Sequence, residues 1–174
     1  MRKKVCRFIL HLLGWKVEVS VPDYPKCTSN TDFFLGKLAY LSIGRHAGFL
    51  IKKDWFFFPL NIIFRSMGGI PVDRSKHSDL IDQIVDKFNK HEHFNIAITP
   101  EATRKRNPDW KKGFYFIALK ANVPIVLAYI DYKEKSIGLK KTFIPTGDFE
   151  KDMIKIKQFY KNYHAKYPDL FAIE

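Results

Sequence analysis

Two segments of the sequence place an arginine shortly after an apolar run. The first is Gly68–Arg74, written GGIPVDR, and the second is Phe94–Arg104, in which the apolar run is followed by PEATR. Both runs predict buried strands, so we expect the arginines beyond strand ends, where α/β folds usually bind ligands. The planar guanidinium suits phosphate oxygens. Arg74 and Arg104 therefore predict a phosphate site.

The same residues also have a purely structural interpretation. Asp73 beside Arg74, and Glu101 three positions before Arg104, are placed to form surface ion pairs in a solvated basic loop. Either segment taken alone favours this interpretation. Further cations extend the positive charge after the second segment: Lys105, Arg106, Lys111 and Lys112.

A histidine and an aspartate five positions apart occur twice, and this spacing raises the question of a catalytic dyad. His77–Asp82 falls on a predicted helix, where positions five apart diverge by about 140°. His164–Asp169 lies near the end of the sequence before Pro168, with no apolar helix after the aspartate. We predict no dyad from either pair. We also predict no metal site at His91 and His93, because no third ligand is near in sequence.

Strand and helix patterns alternate along the chain and predict one layered α/β domain with a central, mostly parallel or mixed sheet flanked by helices. A polar segment at 28–32 offers N-caps for a helix over 33–41, after a turn region at 22–27. The other predicted strands are 15–21, 47–51, 68–72, 94–98, 123–130 and 137–144. The other predicted helices are 54–64, 80–88, 114–120 and 149–163.

The balance of charge favours anionic partners. The 174 residues carry 30 Lys and Arg against 18 Asp and Glu, a net charge of +12. Nucleic acid, anionic lipid, phosphorylated substrates and acidic carrier proteins all fit this sign. No nucleic-acid-binding motif is present, so we expect no nucleic acid partner.

The N-terminal residues predict a basic amphipathic helix over 1–14, with Val5, Phe8, Ile9 and Leu12 at helical spacing. Two interpretations stay open: an interfacial membrane anchor, or a helix packed on its own domain. The aromatic run Trp55–Phe58 favours membrane contact, because four adjacent aromatics on a helix cannot all face one core. We predict no signal peptide and no spanning helix, and hence a peripheral protein at the cytoplasmic face of the membrane.

Taken together, three segments in this order resemble the conserved blocks of the lysophosphatidic acid acyltransferase (1-acyl-sn-glycerol-3-phosphate acyltransferase) superfamily. They are 28–34 (TSNTDFF), 68–74 (GGIPVDR) and 100–104 (PEATR), the last with Ala102 where the family usually has glycine. The resemblance covers roughly residues 25–130. It implies a glycerophospholipid acyltransferase-like domain over 15–174 behind the N-terminal helix.

The resemblance also implies a mechanism. A hydroxyl of a lysophospholipid-type acceptor attacks the thioester of acyl-CoA or acyl carrier protein, while a histidine oriented by an aspartate removes its proton. The acyl thioester is a co-substrate, and no cofactor or metal is implied. By position, Asp32 is the orienting aspartate and Glu101 supports the site. The acceptor phosphate is expected at Arg74, Arg104, Thr103 and Lys105.

One position departs from the family. Cys27 occupies the position of the histidine, and the sequence lacks the apolar strand that the family places just before it. Three explanations stay open: a short internal gap in the sequence as written, a homologue that binds lipid without turnover, or Cys27 acting as the base. The last fits least, because an unperturbed thiol titrates near ~8.5 and is more readily a nucleophile than a base.

Overall fold

The computed structural model describes residues 2–24, 26–30, 33–73, 77–100 and 106–170, with the backbone alone at 26–30, 33–34, 77–79 and 170. Its helices are α1 (Arg2–Leu12), α2 (Phe33–Ile43), α3 (Leu60–Ser66), α4 (His77–Lys90), α5 (Gly113–Ala121) and α6 (Phe149–Tyr160). Its strands are β1 (Lys16–Val19), β2 (Lys26–Asn30), β3 (Gly48–Lys52), β4 (Gly69–Val72), β5 (Phe94–Ala97), β6 (Ile125–Asp131) and β7 (Ser136–Phe143).

The strands form one mixed sheet of seven in the order β1-β7-β6-β2-β5-β3-β4. The five strands from β6 to β4 run parallel to one another, whereas β7 is antiparallel to β6 and β1 is parallel to β7. Parallel strands covered by helices are apolar on both faces, and β6 shows this pattern with five consecutive buried residues from Ile125 to Tyr129. The predicted α/β sheet is therefore confirmed.

Helices cover both faces of this sheet. On one face, α4, α5 and α6 bury Ile84, Tyr115 and Ile156 completely, together with the inward side chains Ile125 and Leu127 of β6. On the other face a smaller cluster joins α2 to the sheet through Tyr40, Val126, Ala128 and Leu139. The helix α1 packs on α2 and buries its Cys6 and Leu10. Truncating a core side chain such as Leu127 to alanine would cost about 2–5 kcal/mol.

Two local predictions were wrong. The turn region predicted at 22–27 ends sooner, because Lys26 and Cys27 already belong to β2, which pairs with β5 on one side and β6 on the other. Hydrogen bonding from both neighbours outweighs the weak strand propensity of a polar sequence. The helix predicted over 54–64 is broken: a single 3-10 turn covers Lys53–Trp55, and α3 starts only after Pro59, which lacks the N–H that a helix interior needs.

Candidate active site at the carboxyl edge of the sheet

The three segments singled out from the sequence leave the sheet at one edge. Because β2, β4 and β5 are parallel, their last residues, Asn30, Val72 and Ala97, point the chain to the same side. The register supports this arrangement, since Ser29 is level with Ala97, which is level with Phe49 of β3. Ligand sites of open α/β sheets lie at this edge.

Most of the predicted site residues lie outside the described residues. These are Asp32, Arg74, Glu101, Thr103, Arg104 and Lys105. The structure therefore fixes the strand ends from which their segments start, and their roles stay predictions.

Cys27 is described through its backbone, which lies inside β2 and pairs with Asn95 of β5. It lies three positions before Asn30, the last residue of the strand, which corresponds to about 10 Å along a β-strand. The backbone of Cys27 is thus well below the edge at which the three segments leave the sheet.

Asp73, the aspartate of the GGIPVDR segment, is held by Lys53 through its side chain and by Gln83 through its backbone. Its carboxylate Oδ2 lies 2.5 Å from Nζ of Lys53, and this hydrogen bond raises the pKa of the Lys53 ammonium. Its backbone N–H donates to Oε1 of Gln83 on α4 at 3.2 Å, and its carbonyl accepts from Nε2 of the same side chain at 3.4 Å. Gln83 thereby fastens the residue before Arg74 to a helix, while Lys53 adds a cation to the edge.

The basic loop after PEATR returns to the same strand end. The backbone N–H of Lys111 donates to the carbonyl of Pro100 at 2.7 Å, which brings Lys111 and Lys112 next to the end of β5. Trp110 before them is buried in the main core. The loop is therefore anchored on both sides of the undescribed segment 101–105.

A cavity of about 1080 Å³ extends from this edge into the molecule. Its apolar wall includes Phe49 and Leu50 of β3 and Ile98 after β5. Its described lining holds cations but no aspartate or glutamate. The basic residues in the lining are Arg2, Lys37, Arg45, His46, Arg65, His93, Lys111 and Lys112. Apolar walls with a cationic lining suit an amphiphile that carries negative charge.

Lys37 is among the cavity residues that sequence reasoning missed. It lies on α2, half-buried, with Nζ 4.9 Å from the centre of the Phe49 ring, and burial lowers the pKa of its ammonium. A signal was present, because Lys37 is the only charged residue in the apolar helix FFLGKLAYLSI.

Comparison with known proteins identifies the fold and the family. A family model described as Acyltransferase matches residues 28–131, which is more than half of the chain and includes all three segments. The chain belongs to the acyltransferase family. The matched region starts at Thr28, one residue after Cys27.

Two further acyltransferases resemble the chain. The human 1-acyl-sn-glycerol-3-phosphate acyltransferase beta is 28% identical over an alignment of 104 residues that covers 56% of this chain and only 37% of that relative. The crystal structure of the 1-acyl-sn-glycerophosphate (LPA) acyltransferase of Thermotoga maritima superposes with a TM-score of 0.61. It covers 94% of this chain and 80% of that one, at 16% identity. The similarity to the crystal structure supports the acyltransferase fold, with its sheet edge and flanking helices.

Two exposed apolar surfaces lie outside the cavity. On α1, Val5, Phe8 and Leu12 form a stripe at helical spacing, and Phe8 and Leu12 are 65% and 74% exposed. The helix packs one face on α2, as one of the two interpretations predicts, and presents an apolar stripe to solvent; the membrane anchor stays a prediction. In the aromatic run, Trp55, Phe57 and Phe58 are also exposed. Among the described helices, none combines the length and apolarity needed to cross a bilayer.

Proposed function

We propose that the chain transfers an acyl group from a thioester donor, acyl-CoA or acyl carrier protein, to the hydroxyl of a lysophospholipid acceptor such as 1-acylglycerol-3-phosphate. The observation that carries this proposal is the common edge: in an acyltransferase family member, the segments 28–34, 68–74 and 100–104 contain or follow the carboxyl ends of three parallel strands, on one side of the sheet. Both comparison proteins are named as acyltransferases of this acceptor.

In this proposal the acceptor phosphate binds Arg74 and Arg104, with Thr103 and Lys105 beside it, and Glu101 supports the site. Arg74 follows Asp73 in the chain. The side chain of Gln83 hydrogen-bonds the backbone of Asp73, so the backbone just before Arg74 is held in place. Arginine binds phosphate in a bidentate manner. Holding the acceptor hydroxyl against the thioester supplies much of the rate, because orientation alone lowers the barrier of a bimolecular step. Asp32, directly before α2 in the sequence, keeps the role that the resemblance implies, orienting the group that removes the hydroxyl proton.

We further propose that the reaction takes place at an anionic membrane surface, with the chain bound peripherally. The exposed α1 stripe is flanked by Arg2, Lys3, Lys4 and Arg7, all exposed. An apolar stripe with basic flanks is the pattern of interfacial helices. The exposed aromatic side chains of Trp55, Phe57 and Phe58 extend the apolar surface available to lipid.

One observation favours a second function, a lipid-binding homologue without turnover. Cys27 stands where the resemblance implies a histidine, and its backbone lies inside β2 rather than at the strand end. A chain without an oriented base can still bind both substrates. Turnover separates the two functions, since the homologue binds lysophosphatidate yet forms no phosphatidate.

The phosphate site is tested by replacing its arginines. We expect Arg74→Ala and Arg104→Ala each to weaken lysophosphatidate binding roughly tenfold to a hundredfold, since hydrogen bonds between charged groups are the strong ones. Arg106→Ala, an exposed arginine in the same loop, is the matched control and should change affinity little. Equal effects of all three substitutions would show that the net charge, rather than a site, attracts the lipid.

A further inference from the structure

Two polar side chains that line the cavity, Lys37 and Asn95, lack a matching partner among the described residues. Nζ of Lys37 forms no ion pair within the described ranges and lies 4.9 Å from the centre of the Phe49 ring. Oδ1 of Asn95 is buried and accepts no hydrogen bond from the described part of the chain. Because buried polar groups are normally satisfied, the two side chains indicate a ligand that brings an anion and a hydrogen-bond donor.

Both side chains lie on the face of the sheet that α2 covers. Successive side chains of a strand point to opposite faces, and Ile96 is fully buried in the core cluster of α4, α5 and α6. Its neighbours Asn95 and Ala97 therefore face α2. Phe49 of β3 is level with Ala97, and level residues on neighbouring strands face the same side. The Phe49 ring under Lys37 is therefore on this face too.

The strand register places the ammonium of Lys37 at the edge from which the segment 100–104 leaves. A Cβ built on Gly68 would lie 3.7 Å from Nζ of Lys37, so the ammonium lies beside Gly68. Gly68, directly before β4, and Phe49 of β3 are level with the last two residues of β5. Lys37 therefore lies at the carboxyl end of β5, where α/β sheets bind ligands.

Asn95 is close enough to this position for one small ligand to contact both side chains. It is two residues before Ala97, which is about 7 Å along β5, and one strand, or about 5 Å, from Phe49. The backbones of Asn95 and Phe49 are thus about 8 Å apart, and both side chains point to the same face. A phosphate with a hydroxyl or an amide N–H a few bonds away has the matching arrangement.

We propose that Lys37 and Asn95 bind the phosphate end of a substrate. Nζ of Lys37 pairs with a phosphate oxygen, and Oδ1 of Asn95 accepts a hydroxyl or an amide N–H close to that phosphate. Both substrates of the proposed reaction carry this chemistry, the acceptor in its glycerol phosphate and the donor in its phosphopantetheine. The inference rests on the proposed function, since it adds two binding residues to that reaction.

The charge of the cavity agrees with this assignment. A desolvated ammonium without an anionic partner is costly, and burial lowers the pKa of Lys37. A bound phosphate would offset this cost, and the described lining holds no acidic side chain that would repel it. An acyl chain alone would satisfy neither Lys37 nor Asn95.

Binding of two pairs of ligands to the intact chain, measured by calorimetry, tests the proposal. The acceptor pair is 1-hexanoylglycerol-3-phosphate and 1-hexanoylglycerol, the donor pair is 4′-phosphopantetheine and pantetheine, and each pair differs only by the phosphate. We expect Lys37→Met to weaken the phosphate-bearing member of at least one pair roughly tenfold or more, because a charge-assisted hydrogen bond is lost. Its counterpart without phosphate should change little.

Three further variants separate the contributions. Lys37→Arg should retain most of the preference for phosphate, because it keeps the cation. Lys141→Met, the same loss of charge at an exposed lysine of β7, should leave the preference in place. Asn95→Ala should weaken both members of the responding pair by a similar factor, because both carry the hydrogen-bond donor. The pair that responds identifies the substrate whose phosphate Lys37 binds, and a response of both pairs shows that either phosphate can occupy the site.

Two outcomes would overturn the proposal. If Lys37→Met binds both phosphate-bearing ligands as the wild type does, Lys37 contacts neither phosphate, and a lowered melting temperature of that variant would then assign it to an ion pair within the chain. Equal losses in Lys37→Met and Lys141→Met would show that the net charge attracts the ligands. If Lys37→Met does not fold, Lys37→Gln, which also removes the charge, takes its place.

Acyl transfer is measured separately from binding. Phosphate-dependent binding through Lys37 without any transfer leaves the site standing and refutes the proposed function. Transfer whose kcat/KM is unchanged in Lys37→Met does the reverse.

Discussion

Nδ1 of His164 lies 3.0 Å from Oδ2 of Asp131, the last residue of β6. The other carboxylate oxygen accepts the backbone N–H groups of Lys133 and Glu134 at 3.0 and 2.9 Å. Asp131 is buried, so a single carboxylate ties the segment after α6 to the turn between β6 and β7.

This network predicts a pH-dependent contribution to stability. Burial raises the pKa of Asp131, but the hydrogen bonds from Glu134 and His164 outweigh it, and the net pKa lies below the ordinary 3.8. A carboxyl group whose pKa is lower in the folded state than in the unfolded state stabilises the fold at pH values above the unfolded-state pKa. This stabilisation is lost as the pH falls through the folded-state pKa. We expect Asp131→Ala to cost about 2 kcal/mol at neutral pH, with the difference narrowing below pH 3.8.

Thermal unfolding of wild type and variant from pH 7 to pH 2 measures this difference. Asp169→Ala is the control, because Asp169 has the sequence spacing to His164 but lies in a separate 3-10 turn. A difference in melting temperature between wild type and Asp131→Ala that grows as the pH falls would contradict this role of the Asp131 carboxylate.

The His164 pair also shows where sequence reasoning stops. The sequence shows the spacing of His164 to Asp169 and predicts no dyad from it, while the partner of His164 in the structure is Asp131, 33 residues away. That contact depends on how α6 crosses the sheet, which periodicity does not reveal. By contrast, strands such as β6 and β7 were predicted within two residues, because their apolar patterns are set locally by burial.

The candidate site likewise combines features that the sequence predicts with features that it does not predict. The segments at the carboxyl edge were predictable, since strand ends follow from apolar runs and parallel strands share an edge. The strand β2 was not predicted, because its polar sequence KCTSN becomes a strand only through pairing with β5 and β6. The cavity of Lys37 and Asn95 was also missed, because it lies between elements that are distant in sequence.

A second network lies in the core around Asp152, whose side chain is fully buried. Its Oδ2 accepts the hydroxyl of Tyr115 at 2.8 Å and the backbone N–H of Thr146 at 2.7 Å. We expect Tyr115→Phe to lower the free energy of unfolding by about 1–3 kcal/mol, because it removes one donor from a buried carboxylate and the acceptor of the Gly147 N–H. Urea denaturation measures the loss. Tyr167→Phe, at an exposed tyrosine, should be neutral, and equal stability of both variants would refute this role.

The contact of β1 with β7 depends on Gly138. A Cβ at this position would lie 2.4 Å from the carbonyl oxygen of Glu18 and 3.0 Å from the Tyr129 ring. Since the first neighbour is backbone, Gly138→Ala should force the strands apart and cost about 1–3 kcal/mol. Gly113→Ala, with no atom within 4 Å of its Cβ, is the matched control. Thermal melts that show the two variants to be equally stable would contradict this packing.

The exposed stripe of α1 predicts membrane binding that is separable from folding. We expect Phe8→Gln with Leu12→Gln to weaken binding to anionic vesicles at least tenfold, since each buried apolar side chain contributes about 1.5–3 kcal/mol. Melting should change little, because both side chains are exposed. Ile154→Gln, on the exposed side of α6, is the control in the same sedimentation assay. Unchanged vesicle binding by the double variant would exclude α1 as the anchor.

The most direct test of the account is acyl transfer by the intact chain, followed as labelled phosphatidate formed from lysophosphatidate with either acyl-CoA or acyl carrier protein as donor. We predict product above the enzyme-free rate with at least one donor, and a loss of roughly tenfold or more in Arg104→Ala but not in Arg106→Ala. Tight binding of lysophosphatidate with no product from either donor would contradict transfer and leave the chain a lipid-binding member of its family.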